Sequence, residues 1–213
     1  MLARLERFRL IAAGQAEVLV LIVDSDGLLV ERRLRAGELT CPPCGAVLAP
    51  WGHGRPREVR GDLGARLFVR PRRSRCTACQ VTHVLLPEVV WPRRMDAAEV
   101  IGSGLEIAAL GLGHRQIGAR LGLAEGTVRG WIRRFRHRSE AVRRYFTVAL
   151  VALADDPVMP EAAASPLSDA VSVIAAAHRA AALKWPAMNT VSPWAFAGRA
   201  IGGRVLTCTS PTS

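Results

Sequence analysis

Four cysteines in two pairs, Cys41-Pro42-Pro43-Cys44 and Cys76-Thr77-Ala78-Cys79, are the residues of this chain whose type and spacing could do chemistry. Two residues between cysteines let one tight turn present both thiolates to one ion, and two such turns complete a tetrahedron. The pairs are separated by 31 residues. That is the arrangement of a zinc ribbon, in which each knuckle closes a pair of strands. Gly45, directly after the first pair, suits a turn whose amides point at sulfur. Two other readings compete: a disulfide pair, which needs an oxidising compartment, and a redox Cys-x-x-Cys, which needs only one pair on a thioredoxin-like unit. The expectation is a structural Zn2+ held by Cys41, Cys44, Cys76 and Cys79. A full shell leaves no position open for water, so the ion is expected to serve folding and not catalysis. His53 and His83 are substitute candidates, but the cysteines already fill the shell, and both read as surface or packing histidines. Cys208, alone and far downstream, reads as an ordinary thiol.

The elements that must position these cysteines are legible in outline. Residues 17–40 read as two strands, a buried-type run Val18–Val23 and a return along Leu28–Leu39, joined by a turn at Asp24-Ser25-Asp26-Gly27. The stretch Pro50-Trp51-Gly52-His53-Gly54-Arg55-Pro56-Arg57 reads as a loop. Arg66–Val69 reads as a strand leading into the second knuckle, and Val81–Val90 as an extended apolar segment after it. Helices begin at about Asp96, an N-cap residue with Glu99 three positions on. One helix covers Ala97–Leu110 and closes at Gly111 and Gly113. A second covers about His114–Leu121 and stops at Gly122, a residue suited to the left-handed cap. A third starts near Glu125 and runs beyond Phe135 towards Tyr145. Downstream, Ser165 followed by Pro166 reads as an N-cap and first-turn proline, with Leu167, Val171, Ile174, His178 and Ala181 at helical spacing.

The segment from His114 to Phe135 has the register of a helix-turn-helix. Ile117 and Leu121 lie one turn apart and face a core, Gly118 is small where two helices must cross closely, and Leu123 plugs the gap beneath the Gly122 turn. Val128, Trp131, Ile132 and Phe135 form a continuous apolar stripe. The residues left facing outward are the candidate DNA contacts: Arg115, Gln116, Glu125, Thr127, Arg129, Arg133, Arg134 and Arg136. The start of the third helix enters the major groove in this motif, where Arg129 could read a guanine edge. Two features weaken that helix: Ala124 at the N-cap has no side-chain acceptor, and Gly130 lies inside it.

The formal charge is +11, and its placement says more than its size. Residues 1–40 and 147–213 are each neutral, whereas 41–94 carry +7 and 95–146 carry +4. The excess lies on the cysteine and helix-turn-helix segments, the footprint of a phosphate-binding surface. Arg70, Arg72, Arg73 and Arg75, just before the second knuckle, are candidate phosphate contacts. No apolar run approaches the roughly 20 residues that cross a bilayer. The N-terminus has no continuous apolar h-region. A cytoplasmic, nucleoid-associated location is expected.

CPPCG and RCTAC followed by RQIGARLGLAEGTVRGWIRRF resemble the N-terminal DNA-binding region of insertion-sequence transposases, where a zinc ribbon precedes a helix-turn-helix. CPPCGAVLAPWGHGRPR, RRSRCTACQVTHVLLP and the helix-turn-helix are similar to an uncharacterised family of actinobacterial zinc-ribbon/helix-turn-helix proteins associated with such elements. The resemblance spans residues 41–146, and more loosely Ser165–Ala170 and Val191–Leu206. It implies binding of double-stranded DNA at element ends or a related site. It does not imply strand transfer, because those transposases continue into a large domain bearing three carboxylates. Here Asp155, Asp156, Glu161 and Asp169 are the acids that remain, and they read as loop and cap residues.

The expected protein is therefore α+β and not an enzyme. N-terminal strands (1–40) precede a zinc-ribbon-like domain (41–94), a helix-turn-helix domain (95–146) and a helical C-terminal tail (147–213). The tail is expected to pack on the DNA-binding unit or to support a homodimer. The alternatives are a truncated transposase or recognition subunit working with a catalytic transposase partner, and a zinc-ribbon adaptor that binds protein.

Overall fold

The computed structural model describes residues 20–207. The start of the Val18–Val23 run and Cys208 lie outside the described residues. The chain is mixed α and β, and it forms two compact units. Among the described residues, one is built from 20–97 together with Gly198–Gly203, the other from Ala98–Ala197 together with 204–207.

In the first unit, β1 (Val20–Val23), β2 (Leu48–His53), β5 (Arg72–Cys76) and β6 (Thr82–Pro87) make one sheet in the order β1-β6-β5-β2. β1 runs parallel to β6, from Val20 opposite Val84 to Val23 opposite Pro87. The other two pairings are antiparallel. β3 (Arg57–Arg60) and β4 (Arg66–Val69) form a separate antiparallel pair. Alternation along β5 and β6 sorts the side chains. Ser74, Cys76, His83 and Leu85 are buried, while Arg73, Arg75, Thr82 and Val84 between them are half-buried.

The expected second N-terminal strand is a helix, α1 (Gly27–Arg35), so residues 20–40 do not form a hairpin. Asp24-Ser25-Asp26-Gly27 is a helix start: the Asp26 carboxylate accepts from the amides of Leu28 at 2.8 Å and Leu29 at 3.2 Å. That satisfies two of the donors a helix leaves open at its first turn. Val30, Arg33 and Leu34 then fall on one buried face, a helical period that the continuous run Leu28-Leu29-Val30 disguises. Val30 and Leu34 pack with Leu21, Val23, Leu39, Leu48 and Leu85, and Cys41 and Cys76 belong to the same buried cluster.

A second correction concerns the expected loop at 50–57, most of which is strand. β2 runs through Pro50, Trp51 and Gly52, and Arg57 begins β3. The strand accommodates Pro50 and Gly52 because its pairing with β5 shifts register between Pro50 and His53. Such an irregularity leaves room for a residue that cannot donate or that needs a positive φ. Gly52 has φ +90°.

The first unit also takes in residues 198–203, which the sequence assigned to the tail. A Cβ on Gly198 would come within 2.4 Å of the Trp91 indole nitrogen. Arg199 pairs with Glu88 at 3.0 Å and Asp24 at 3.6 Å. Burial raises the Glu88 carboxyl above its ordinary range, against the opposing pull of Arg199.

The second unit is helical: α2 (Ala98–Ala109), α3 (His114–Leu121), α4 (Glu125–Leu153), α5 (Pro166–Lys184) and the first residues of α6 (Pro193–Ala200). α2 starts one residue later than the expected Ala97. Asp96 itself belongs to the first unit, 3.6 Å from the Arg60 guanidinium. α5 is capped as its sequence implies, with the Ser165 hydroxyl accepting from the Ser168 amide at 3.2 Å.

Among the described residues of the expected helical tail, 147–197 and 204–207 belong to this unit. The Trp194 ring lies where a Cβ on Gly102 would be, and its indole N–H donates to Glu106 at 2.7 Å. Trp194 also meets Phe135 edge-on at 6.0 Å between ring centres. Among the described residues, no helix is long and apolar enough to cross a membrane.

Candidate functional site

The two cysteine pairs end two hairpin-like turns of matching design. In the first, the Cys41 amide donates to Ala46 at 2.8 Å and the Gly45 amide to Cys41 at 2.7 Å. In the second, the Cys76 amide donates to Val81 at 2.9 Å. The residue after each pair, Gly45 or Gln80, has positive φ, +73° and +62° respectively. Glycine reaches that region freely. Gln80 is held there while its side-chain amide donates to the Thr77 carbonyl at 3.0 Å.

These turns bring all four sulfurs within 4.8 Å of one another. Cys41 and Cys79 are 3.6 Å apart, and Cys44 and Cys76 are 3.4 Å apart. Both separations are far beyond the roughly 2.05 Å of a disulfide, and all four cysteines are free thiols. The group is positioned to hold a metal ion, as the spacing led us to expect.

The electrostatics agree with that use. Burial pushes the Cys41 thiol up to about 12, so its thiolate needs a cation beside it. Burial also works against ionisation of Cys76. The backbone amides of Cys79 and Ala78 outweigh it, and that thiol sits at about 6. A set of four thiolates in which two are buried in an apolar cluster fits a soft or borderline cation.

His83 and His53 separate clearly. His83 is fully buried on β6, and its Nε2 lies 3.4 Å from the sulfur of Cys41. It is not one of the four grouped ligands; it stands behind one of them. Its signal in the sequence is position alone, two residues before Leu85 on the buried side of the strand. His53 is exposed at the end of β2.

The four arginines before the second knuckle do not behave alike. Arg72 is committed to Glu31 of α1, with Nε at 2.8 Å and Nη2 at 3.4 Å from its two carboxylate oxygens. It also donates to the Gly52 carbonyl. Arg73 and Arg75 lie on the other face of the sheet, and Arg70 is exposed. Arg75 stacks on Trp51, 4.6 Å from the ring centre. The sequence hid Trp51 in its presumed loop. Its period-two relation to Ala49, opposite Arg75, is the trace it leaves.

In the second unit, α3 and α4 are joined by Gly122-Leu123-Ala124. Gly122 takes the left-handed conformation, φ 63° and ψ 34°, and Leu123 is buried beneath it. A Cβ on Gly118 would meet the Leu123 carbonyl oxygen at 2.8 Å, so the crossing needs glycine there. Val128, Trp131, Ile132 and Phe135 are buried, and Trp131 packs against Gly104 of α2.

The opposite face of α4 carries Gly126, Arg129, Arg133 and Arg136, all exposed. Spacings of three and four align them along roughly 15 Å of helix. Arg115 and Glu125 are also exposed but pair with each other at 3.3 Å. Gln116 accepts from the Gly113 amide at 3.1 Å and so caps α3. Thr127 and Arg134 are half-buried, and the Arg134 guanidinium lies 2.8 Å from where a Cβ on Gly130 would be. Gly130 thus makes room for Arg134. Ala124 caps α4 without a side-chain bond.

Further along α4, Glu140 binds Arg143 at 2.9 Å and Arg144 at 3.0 Å. Those hydrogen bonds hold its carboxyl down at about 2. Among the described residues, Arg129, Arg133 and Arg136 have no such partner. The helix is thus unneutralised in its first half and self-neutralised after it.

No curated protein and no solved structure matches this chain. Residues 41–131, a span that holds both cysteine pairs, α3 and the start of α4, match a family model described as a domain of unknown function, DUF6431.

Proposed function

We propose that this chain is a non-catalytic, sequence-specific DNA-binding protein that reads duplex DNA with α3 and α4 and carries a structural Zn2+ in its cysteine site. The observation that carries the reading is the α4 surface: one face locked into the core by Val128, Trp131, Ile132 and Phe135, the other presenting Arg129, Arg133 and Arg136 unpaired. An anchored helix with a free basic stripe can enter the major groove at its N-terminal end, as in helix-turn-helix proteins. Arg129, in the second turn, is placed to give the two parallel donors that guanine O6 and N7 accept. Arg133 and Arg136 lie one and two turns further on, where the phosphate backbone runs, and they set register and affinity.

Zinc is the metal whose chemistry the site suits best. Four thiolates around Zn2+ at about 2.3 Å stand about 3.8 Å apart at tetrahedral angles. The observed separations of 3.4 and 3.6 Å are close to that. When bound, the ion neutralises the buried thiolates and fixes both knuckles. The non-catalytic reading is supported by the downstream acids. Asp169 accepts from the Ala163 amide at 2.7 Å, and Asp155, Asp156 and Glu161 are exposed in the segment between α4 and α5.

The test is selection of bound sequences from a random duplex pool with the full, zinc-loaded chain. Enrichment of a defined motif is expected, with relaxed preference at one guanine in Arg129→Ala. No enrichment, or an unchanged motif in that variant, contradicts the assignment.

A further inference from the structure

The sheet face turned away from the apolar cluster of the first unit carries a basic, aromatic patch that the α4 reading does not use. Trp51 of β2 is 51% exposed. The Arg75 guanidinium covers part of its ring at 4.6 Å from the centre, and Arg75 Nε donates to the Gln80 carbonyl at 3.3 Å. Arg73 lies two residues along the same strand, and so on the same face. Among the described residues neither arginine has a carboxylate partner. Arg72, next to Arg73 on the strand, points to the opposite face and is neutralised by Glu31.

An indole left half in water forgoes burial that a strand residue of this size normally gains. Here the ring is also pre-positioned by its cation–π contact, so a ligand stacking on it has little side-chain freedom left to freeze. The segment around it, residues 41–94, carries a net charge of +7, which favours a polyanion over an apolar protein surface. Phosphates alone have no use for an indole, whereas a flat base does. Bases inside a duplex already have both faces stacked, so the base must be unpaired.

We propose that Trp51, flanked by Arg73 and Arg75, is a stacking site for an unpaired base of single-stranded nucleic acid, with the two arginines on its phosphates. The patch lies on a different unit from α4, so this proposal stands or falls separately from the recognition-helix reading.

Binding of a fluorescein-labelled oligothymidylate to the full, zinc-loaded chain, followed by anisotropy, tests it. Trp51→Ala should weaken single-strand binding by about 5- to 150-fold, the range seen for loss of one base–aromatic stack. Trp51→Phe, which keeps a π face, should weaken it less. Both should leave duplex affinity within about twofold, as for independent sites. The proposal is overturned if the wild-type chain does not bind the oligonucleotide, if Trp51→Ala binds it as tightly, or if duplex binding falls equally. Should Trp51→Ala lose its metal, Trp51→Phe decides: oligonucleotide binding should quench wild-type tryptophan emission by an amount missing in that variant. Equal quenching in both contradicts the proposal.

Discussion

The Nε2 of His83 lies 3.4 Å from the sulfur of Cys41, and both residues are buried in the first unit. With a metal bound, an Nε2–H of His83 directed at the Cys41 thiolate would orient that ligand and spread its charge, as partners behind a ligand do in metal sites generally. His83→Phe should therefore fill the space yet lose the donor. Affinity for Zn2+ is expected to fall about 10- to 100-fold in competition with a chromophoric chelator, with His83→Gln recovering part of the loss. An unchanged affinity in His83→Phe would make the contact mere packing.

Removal of a ligand should act far more broadly than removal of His83. Cys41 and Cys76 belong to the apolar cluster as well as the metal site. Cys41→Ser or Cys76→Ser should release the metal and unfold residues 41–90, and α1 should go with them, because Val30 and Leu34 lose their support. The helices of the second unit should persist. Amide hydrogen exchange separates the outcomes: protection is lost over β2, β5, β6 and α1 but kept over α4 and α5. Uniform loss across the chain would refute this division.

Glu31 and Arg72 give a pH dependence with a definite sign. The Arg72 hydrogen bond holds the Glu31 carboxyl below its ordinary range, against burial. Its folded-state pKa is lower than its unfolded one, so the contribution to stability is complete above the unfolded value, roughly 4.3, and fades as pH falls through the depressed one. Arg72→Gln should cost about 1–3 kcal/mol near neutrality, as for loss of a hydrogen bond to a charged group. That cost should shrink in acid, when urea denaturation is followed at several pH values. The same variant should leave the salt dependence of DNA binding unaltered, which distinguishes Arg72 from a phosphate contact.

Two glycines on the α3–α4 segment should respond oppositely to alanine. At Gly118 a Cβ meets the Leu123 carbonyl oxygen at 2.8 Å, a clash with backbone, and overpacking of this kind costs about 1–3 kcal/mol. At Gly126 nothing lies within 4 Å, so alanine should gain up to about 1 kcal/mol from helix propensity alone. Thermal melts of the two variants should shift Tm in opposite directions. A gain at Gly118 would contradict the close crossing.

What the sequence made legible was chemistry tied to local spacing. The Cys-x-x-Cys pairs, the left-handed Gly122 and the Val128-to-Phe135 stripe are each set within a turn or two of chain, and the structure has them as read. What it concealed depended on distant partners. Leu28-Leu29-Val30 reads equally as strand or helix until the Asp26 cap and the α1 packing face choose. Pro50 and Gly52 mark a loop by type, yet pairing with β5 makes the segment a strand, which brought Trp51 to Arg75. The return of residues 198–203 to the first unit rests on Arg199 meeting Glu88 and Asp24, more than a hundred residues away in sequence, and no local pattern announces it. Among the candidate contacts, Arg72, Arg115 and Gln116 resemble the free cations and polar groups around them; only their partners Glu31, Glu125 and the Gly113 amide set them apart.

The most direct test of the central proposal, duplex binding through the α4 stripe, is the salt dependence of affinity for a selected duplex. If Arg129, Arg133 and Arg136 act as proposed, log affinity falls linearly with log salt at a slope of about −0.9 per phosphate neutralised. Arg133→Ala should then flatten that slope by about one contact, whereas Arg129→Ala should chiefly relax base preference. A salt-independent affinity, or a slope unchanged in both Arg133→Ala and Arg136→Ala, would contradict the account.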